Sequence, residues 1–137
     1  ALGRAQLSRL ESMIARRKAL RETYRQLFST VPGVTIFGGS DDAEDNAWLT
    51  AILVDPEVAG WAAADLGAAL TAENIESRPL WKPMHLQPVF ASAPALVNGV
   101  SQRLFETGLS LPSGSALDES SLERVLDCIR AFLRDRA

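Results

Sequence analysis

The chain has 137 residues and a net charge of −3, with 47% hydrophobic and 23% charged residues, a balance that supports one packed domain and excludes a disordered or low-complexity polymer. Its one cysteine, Cys128, excludes an internal disulfide framework and fits a reducing compartment, so a cytoplasmic setting is expected. No run of about 18 apolar residues occurs and the opening ALGRAQLSRL lacks the apolar core of a signal peptide, so no membrane partner is expected.

In chain order, residues 3–29 predict one long amphipathic helix, because Leu7, Leu10, Met13, Ile14, Leu20, Tyr24, Leu27 and Phe28 recur at spacings of three and four. The cations of this segment, Arg4, Arg9, Arg16, Arg17, Lys18, Arg21 and Arg25, are expected on the opposite, solvated face. Such a basic block raises nucleic acid as a partner, and the acidic charge of the whole chain argues against it. The helical pattern opens without an initiating methionine or an N-cap residue, which leads us to expect a piece of a longer chain. Val31-Pro32-Gly33 ends the helix.

GVTIFGG (33–39) predicts a short strand, and SDDAEDN (40–46) an acidic surface loop that lacks the glycine and spacing of a calcium site. AWLTAILVD (47–55) is apolar on both faces, with Leu49, Ala51 and Leu53 on one and Trp48, Ile52 and Val54 on the other, as in a central strand covered on both sides. After an Asp55-Pro56 turn, residues 58–73 predict an alanine-rich helix. NIESRPLW (74–81) is extended, with Pro79 forcing it to a sheet edge or strand end. Residues 93–108 predict a helix closing at Gly108, followed by a short strand and turn over 109–115. In the last helix Asp118 is the N-cap, Leu117 can staple to Leu122, and Leu122, Val125, Leu126, Ile129 and Phe132 form the apolar face. The order implies an α+β fold: a small sheet of about four short strands with helices packed mainly on one face, preceded by a long N-terminal helix.

Familiar catalytic constellations are missing: there is no P-loop and no GxGxxG, and His85 and Cys128 alone cannot make a metal cluster. A Cys128–His85 pair is conceivable, but Cys128 lies beside an apolar helical stripe. Of the two lysines, Lys18 belongs to the basic helix; Lys82 would need a desolvated pocket to act as a nucleophile, and nothing nearby identifies one. The segment RPLWKPMHLQPVF (78–90) carries the most information. Its prolines reduce the entropy lost when the loop is held in one shape, which suits a binding site. Arg78 and Lys82 can meet phosphates, Trp81 and Phe90 offer flat faces, and His85 and Gln87 can exchange hydrogen bonds with a ligand. The same residues also allow a plainer role, with Trp81, Met84 and Phe90 plugging the core and His85 bonded to backbone.

This segment resembles a signature of the DegT/DnrJ/EryC1/StrS family of nucleotide-sugar aminotransferases. Residues 1–28 are similar to the family's long helix, and LSLPSGSALDESSLERVLDCIRAFL (109–133) to its terminal strand, turn and helix. The resemblance implies the small C-terminal domain (31–137) of a type I pyridoxal-phosphate enzyme, joined by an interdomain helix (1–30) to a large cofactor domain not contained in these residues. It implies a homodimer that aminates a keto group on a nucleotide-linked sugar, commonly with glutamate as donor. Arg78, Trp81, Lys82, Met84, His85 and Gln87 are then the expected substrate-binding residues. The Schiff-base lysine would lie upstream, so neither activity nor bound pyridoxal phosphate is expected of this stretch alone. Many relatives carry tyrosines where this chain has Trp81-Lys82. A non-catalytic relative that binds a sugar ligand remains an alternative implication.

Overall fold

The structure is a computed structural model and describes residues 2–38 and 44–136. The first part of the acidic loop therefore lies outside the described residues. The expected long helix is two, α1 (Leu2–Leu7) and α2 (Leu10–Phe28), separated by a turn at Ser8 and Arg9. Ser8 and Ser12 each turn their hydroxyl back to a carbonyl three residues earlier, a local bond that competes with a regular helix. Leu20, Tyr24 and Phe28 are buried as their spacing requires, whereas Leu7 and Leu10 are exposed. The cations do not all face solvent: Arg21 is buried, and Arg16 bonds to the Leu117 carbonyl at 2.9 Å and to Glu119 at 2.7 Å.

Four antiparallel strands form one sheet in the order β1 (Val34–Ile36), β2 (Thr50–Val54), β4 (Gly108–Leu111), β3 (Arg78–Pro79). The two apolar strands take the centre, and Pro79 sits on the edge strand where its missing N–H costs no ladder bond. Register places Val34 opposite Val54, Ile52 opposite Leu109 and Thr50 opposite Leu111. Side-chain alternation then puts Val34, Thr50, Ile52, Val54, Leu109 and Leu111 on one face, and all are buried. On the opposite face Thr35 and Arg78 are exposed and Leu53 and Ser110 half-buried. The helices thus cover mainly one face, as expected.

That covered face meets α4 (Ala63–Ala72) and α6 (Glu119–Arg134), which pack against each other, with α2 alongside. All five residues expected on the apolar face of α6 are buried, and Asp118 caps the helix by accepting from Ser121 N at 2.7 Å. The helix expected over 58–73 is broken. A single turn, α3 (Pro56–Ala59), ends at Gly60 in the left-handed region, and α4 restarts with Asp65 accepting from the Ala62 N–H. This break turns Trp61 into the core, edge-on to Phe132 with centroids 5.0 Å apart.

The helix expected over 93–108 is also shorter: α5 spans Val100–Thr107. Asn98 Oδ1 accepts from Val100 N and starts it there, while Pro94 and the exposed Leu96 belong to the preceding loop. It does end at Gly108, as expected, though not in the left-handed conformation common at helix ends. Gly108 is extended (φ −99), and a Cβ there would lie 2.5 Å from the Leu104 carbonyl and overlap the Leu80 side chain. Only glycine lets the α5–β4 corner lie this close beside Leu80, the residue after β3.

Candidate functional site

The segment after β3 does not plug the core. Trp81 and Met84 are 70% and 58% exposed, and neither belongs to the buried cluster. Past Trp81 the chain makes two single 3₁₀ turns, Met84–Leu86 and Pro88–Phe90, each entered by a proline or closed by a backbone bond three residues back. Gln87 Nε2 reaches back to the Lys82 carbonyl at 3.3 Å and to Met84 Sδ at 3.6 Å, so its amide closes the loop on itself.

Five of the six expected site residues are divided between two hollows. Arg78, Trp81 and Lys82 line an open cleft of about 790 Å³ beside the edge strand. Met84 and His85 line a second hollow of about 510 Å³ with Phe90, Leu96 and Val97. Gln87 lines neither. Cys128 is in a third place, the groove between α4 and α6, with burial pushing its thiol pKa up. A Cys128–His85 pair is therefore not formed.

The cleft also contains residues the sequence did not single out: Trp48, Phe105, Ser110, Ser121 and Arg124. Trp48 was expected inside a covered strand, but it precedes β2 and is 60% exposed. A turn causes this. Asp45 Oδ1 accepts from Ala47 N, Asn46 Oδ1 accepts from Trp48 N, and Ala47 takes φ 49. The indole is thereby rotated onto the cleft, with its ring centroid 6.0 Å from that of Trp81 and the planes tilted by 37°.

Arg21 holds this turn from α2. It donates to Asp45 Oδ2 at 2.7 Å and to the Leu49 carbonyl at 3.1 Å. The far wall is tied to the same helix: Tyr24 donates to the Pro112 carbonyl at 2.7 Å, and Arg16 to that of Leu117. Burial raises the Tyr24 pKa, which keeps the phenol a neutral donor. At the cleft's edge Arg78 pairs with Glu76, and Arg124 donates to the Glu73 carbonyl.

The Asp45 pKa is lowered, first by the Arg21 hydrogen bond and then by the Ala47 N–H. A carboxylate with a depressed folded-state pKa contributes stability that is present above its ordinary value of 3.8 and is lost as pH falls through the folded value. Asp45→Asn is expected to flatten stability against pH below about 4, read by urea unfolding across that range. An unchanged pH slope would show that the Arg21–Asp45 bond contributes nothing.

Pyridoxal phosphate does not fit the described residues. It requires a desolvated lysine and donors around its phosphate. Lys82 stands on an exposed loop, and Lys18 is half-buried on α2 within the field of Asp45. Among the described residues there is no group of three metal-ligating side chains and no helix long and apolar enough to cross a membrane.

A profile of the DegT/DnrJ/EryC1/StrS aminotransferase family matches residues 1–130. EpsN of Bacillus subtilis (strain 168), named as a pyridoxal phosphate-dependent aminotransferase, is 34% identical over 93% of this chain and 33% of its own length. GDP-perosamine synthase of Vibrio cholerae is 29% identical over 96% of this chain and 36% of its own. The aminotransferase TlmJ of Streptoalloteichus hindustanus superposes with a TM-score of 0.81 at 25% identity, over 97% of this chain and 35% of its own. The chain thus spans about a third of the length of the proteins it matches.

Proposed function

Because the chain belongs to the DegT/DnrJ/EryC1/StrS aminotransferase family, we propose that it is the small C-terminal domain of an enzyme that converts a keto group on a nucleotide-linked sugar into an amine. In this reading residues 1–30 connect to a large cofactor domain and residues 31–137 cover the active site. Glutamate donates the nitrogen, and the working protein is a cytoplasmic homodimer. The family depends on pyridoxal phosphate, which supplies an electron sink for the transfer. That group is held by the large domain, so residues 1–137 alone bind none and are inactive.

The observation that supports this reading most is the cleft beside β3, where indoles and cations meet in one hollow. Arg78 and Lys82 bind the diphosphate, Arg78 as a planar fork and Lys82 as a point charge. Trp81 packs on the ring side of the ligand. Met84 and His85, held by the Gln87-closed loop, face the reacting sugar from the neighbouring hollow. Nucleic acid has no part in this reading. Arg16, Arg21 and Arg25 of the basic helix are engaged by Glu119, Asp45 and Glu22 of the same chain.

The test uses the whole native protein. Arg78→Ala is expected to raise the KM for nucleotide sugar about tenfold, the size of one lost charge-assisted hydrogen bond. His85→Ala is expected to lower kcat. If both variants keep the wild-type KM and kcat, these residues do not form the substrate site.

A further inference from the structure

The chain has three asparagines, Asn46, Asn74 and Asn98, and two of them make the same turn. Asn46 Oδ1 accepts from Trp48 N at 2.9 Å, and Asn98 Oδ1 accepts from Val100 N at 3.2 Å. In both, the residue spanned by the bond is left-handed: Ala47 at φ 49 and Gly99 at φ 80. Each bond closes a small ring that contains the side-chain carbon Cγ and the next backbone nitrogen. The donated N–H also polarises the Cγ carbonyl, which makes Cγ an electrophile beside that nitrogen.

The two turns differ in how the nitrogen is guarded. Ala47 N donates to Asp45 Oδ1 at 2.9 Å, and Ala47 is fully buried and carries a Cβ beside that nitrogen. Asn74 is guarded in the same way by its neighbour: Ile75 N donates to the Leu70 carbonyl at 2.9 Å, and Ile75 is buried and β-branched. Gly99 has none of these protections. Its N–H has no acceptor among the described residues, and nothing lies within 4 Å of where a Cβ would stand. Asn98 and Gly99 are both exposed, so water reaches the turn.

We infer that Asn98 is a site of spontaneous covalent modification, where the unguarded Gly99 nitrogen cyclises onto the Asn98 side chain and water opens the ring to aspartate or isoaspartate. Gly99 N bonds to Asn98 Cγ as the Cγ–Nδ2 bond breaks, and Nδ2 leaves as ammonia with the proton that Gly99 N gives up. One water then splits the five-membered imide. Cleavage between Gly99 N and Cγ leaves aspartate at position 98. Cleavage of the original peptide bond leaves isoaspartate, whose main chain runs through Cγ. The balance is one water consumed and one ammonia released, with nothing oxidised or reduced. The position gives the change a consequence, because Asn98 starts α5, which has no acid in its first turn. Aspartate keeps the capping oxygen and adds a favourable negative charge at the helix start. Isoaspartate lengthens the main chain by one carbon next to Leu96 and Val97, which wall the hollow lined by Met84 and His85.

The experiment ages the whole native protein in mildly acidic and mildly alkaline buffer, digests it and weighs the three asparagine peptides by mass spectrometry. Isoaspartate is counted by enzymatic methylation of its carboxylate. Asn98 is expected to convert to both products, faster in alkali because the attacking nitrogen must lose its proton, while Asn46 and Asn74 stay intact. Gly99→Ala is expected to lose both products; Ala47 shows that alanine can take this left-handed backbone. The three asparagines of the wild type carry the test without any variant. An intact Asn98 in the folded protein, with conversion only in urea, would overturn the site. Conversion of Asn46 as fast as Asn98 would overturn the part given to the unguarded glycine nitrogen. Aspartate formed with no isoaspartate would overturn the ring and leave direct hydrolysis.

Discussion

Gly33→Ala is expected to destabilise the protein by about 3 kcal/mol, from left-handed backbone strain and overpacking together. Gly33 has φ +74, and an added Cβ would lie 2.7 Å from Ala59 N and 2.9 Å from the Asp55 carbonyl. Both neighbours are backbone atoms of the β2–α3 corner, which cannot turn aside as a side chain would. Gly33 also accepts the Asp55 N–H at 2.7 Å, so moving it breaks the bond that joins the start of β1 to the end of β2. Gly60→Ala is the control. Its φ is +76, but nothing lies within 4 Å of the added atom, so only the backbone strain of about 1 kcal/mol remains. Urea unfolding of the two variants separates the terms. Equal losses would show that the corner yields and that the close contacts carry no cost.

Ile129→Ala is expected to cost about 2–5 kcal/mol, the range for truncating a large aliphatic in a packed core. Ile129 is fully buried on the inner face of α6, in the same cluster as Leu66 and Leu70 of α4 and Ile52 of the sheet. α4 packs against α6, and the sheet belongs to the same buried cluster, so the site is packed on the sides where a cavity would form. Against a typical net stability of about 5–15 kcal/mol, one such loss is a large fraction. The midpoint in urea should fall with the slope unchanged. A loss under about 1 kcal/mol would mean that α6 packs loosely on the sheet.

The apolar residues were the legible part of the fold. The α6 face, the central place of β2 and the edge position of Pro79 follow from spacing and from proline chemistry alone. Errors fell where a short polar side chain redirects the backbone. Asn98 starts α5 late, Asp65 restarts α4, and Asp45 with Asn46 ends the extended run before Trp48. Each uses a side chain that can satisfy a nearby N–H in more than one conformation, so composition does not settle which forms.

The candidate site was half legible for the same reason. Arg78, Trp81 and Lys82 stand in one segment and share one cleft. Trp48 is at least thirty positions earlier in the chain, inside an apolar run that reads as strand. Its signal was the Asp-Asn pair just before it, which marks a turn when read by mechanism and not by hydropathy. Arg21 was hidden more deeply: a cation in a basic helix gives no hint that it will be buried against a carboxylate 24 residues away.

Nitrogen transfer is the measurement that bears most directly on the central claim. The whole native protein, supplied with pyridoxal phosphate and ¹⁵N-glutamate, would be incubated with a panel of nucleotide-linked keto sugars and the products weighed by mass spectrometry. The account predicts a labelled amine on the sugar ring of at least one member of the panel. Binding of nucleotide sugar with no transfer of label to any of them would contradict it, and would make this protein a non-catalytic relative that holds a sugar ligand.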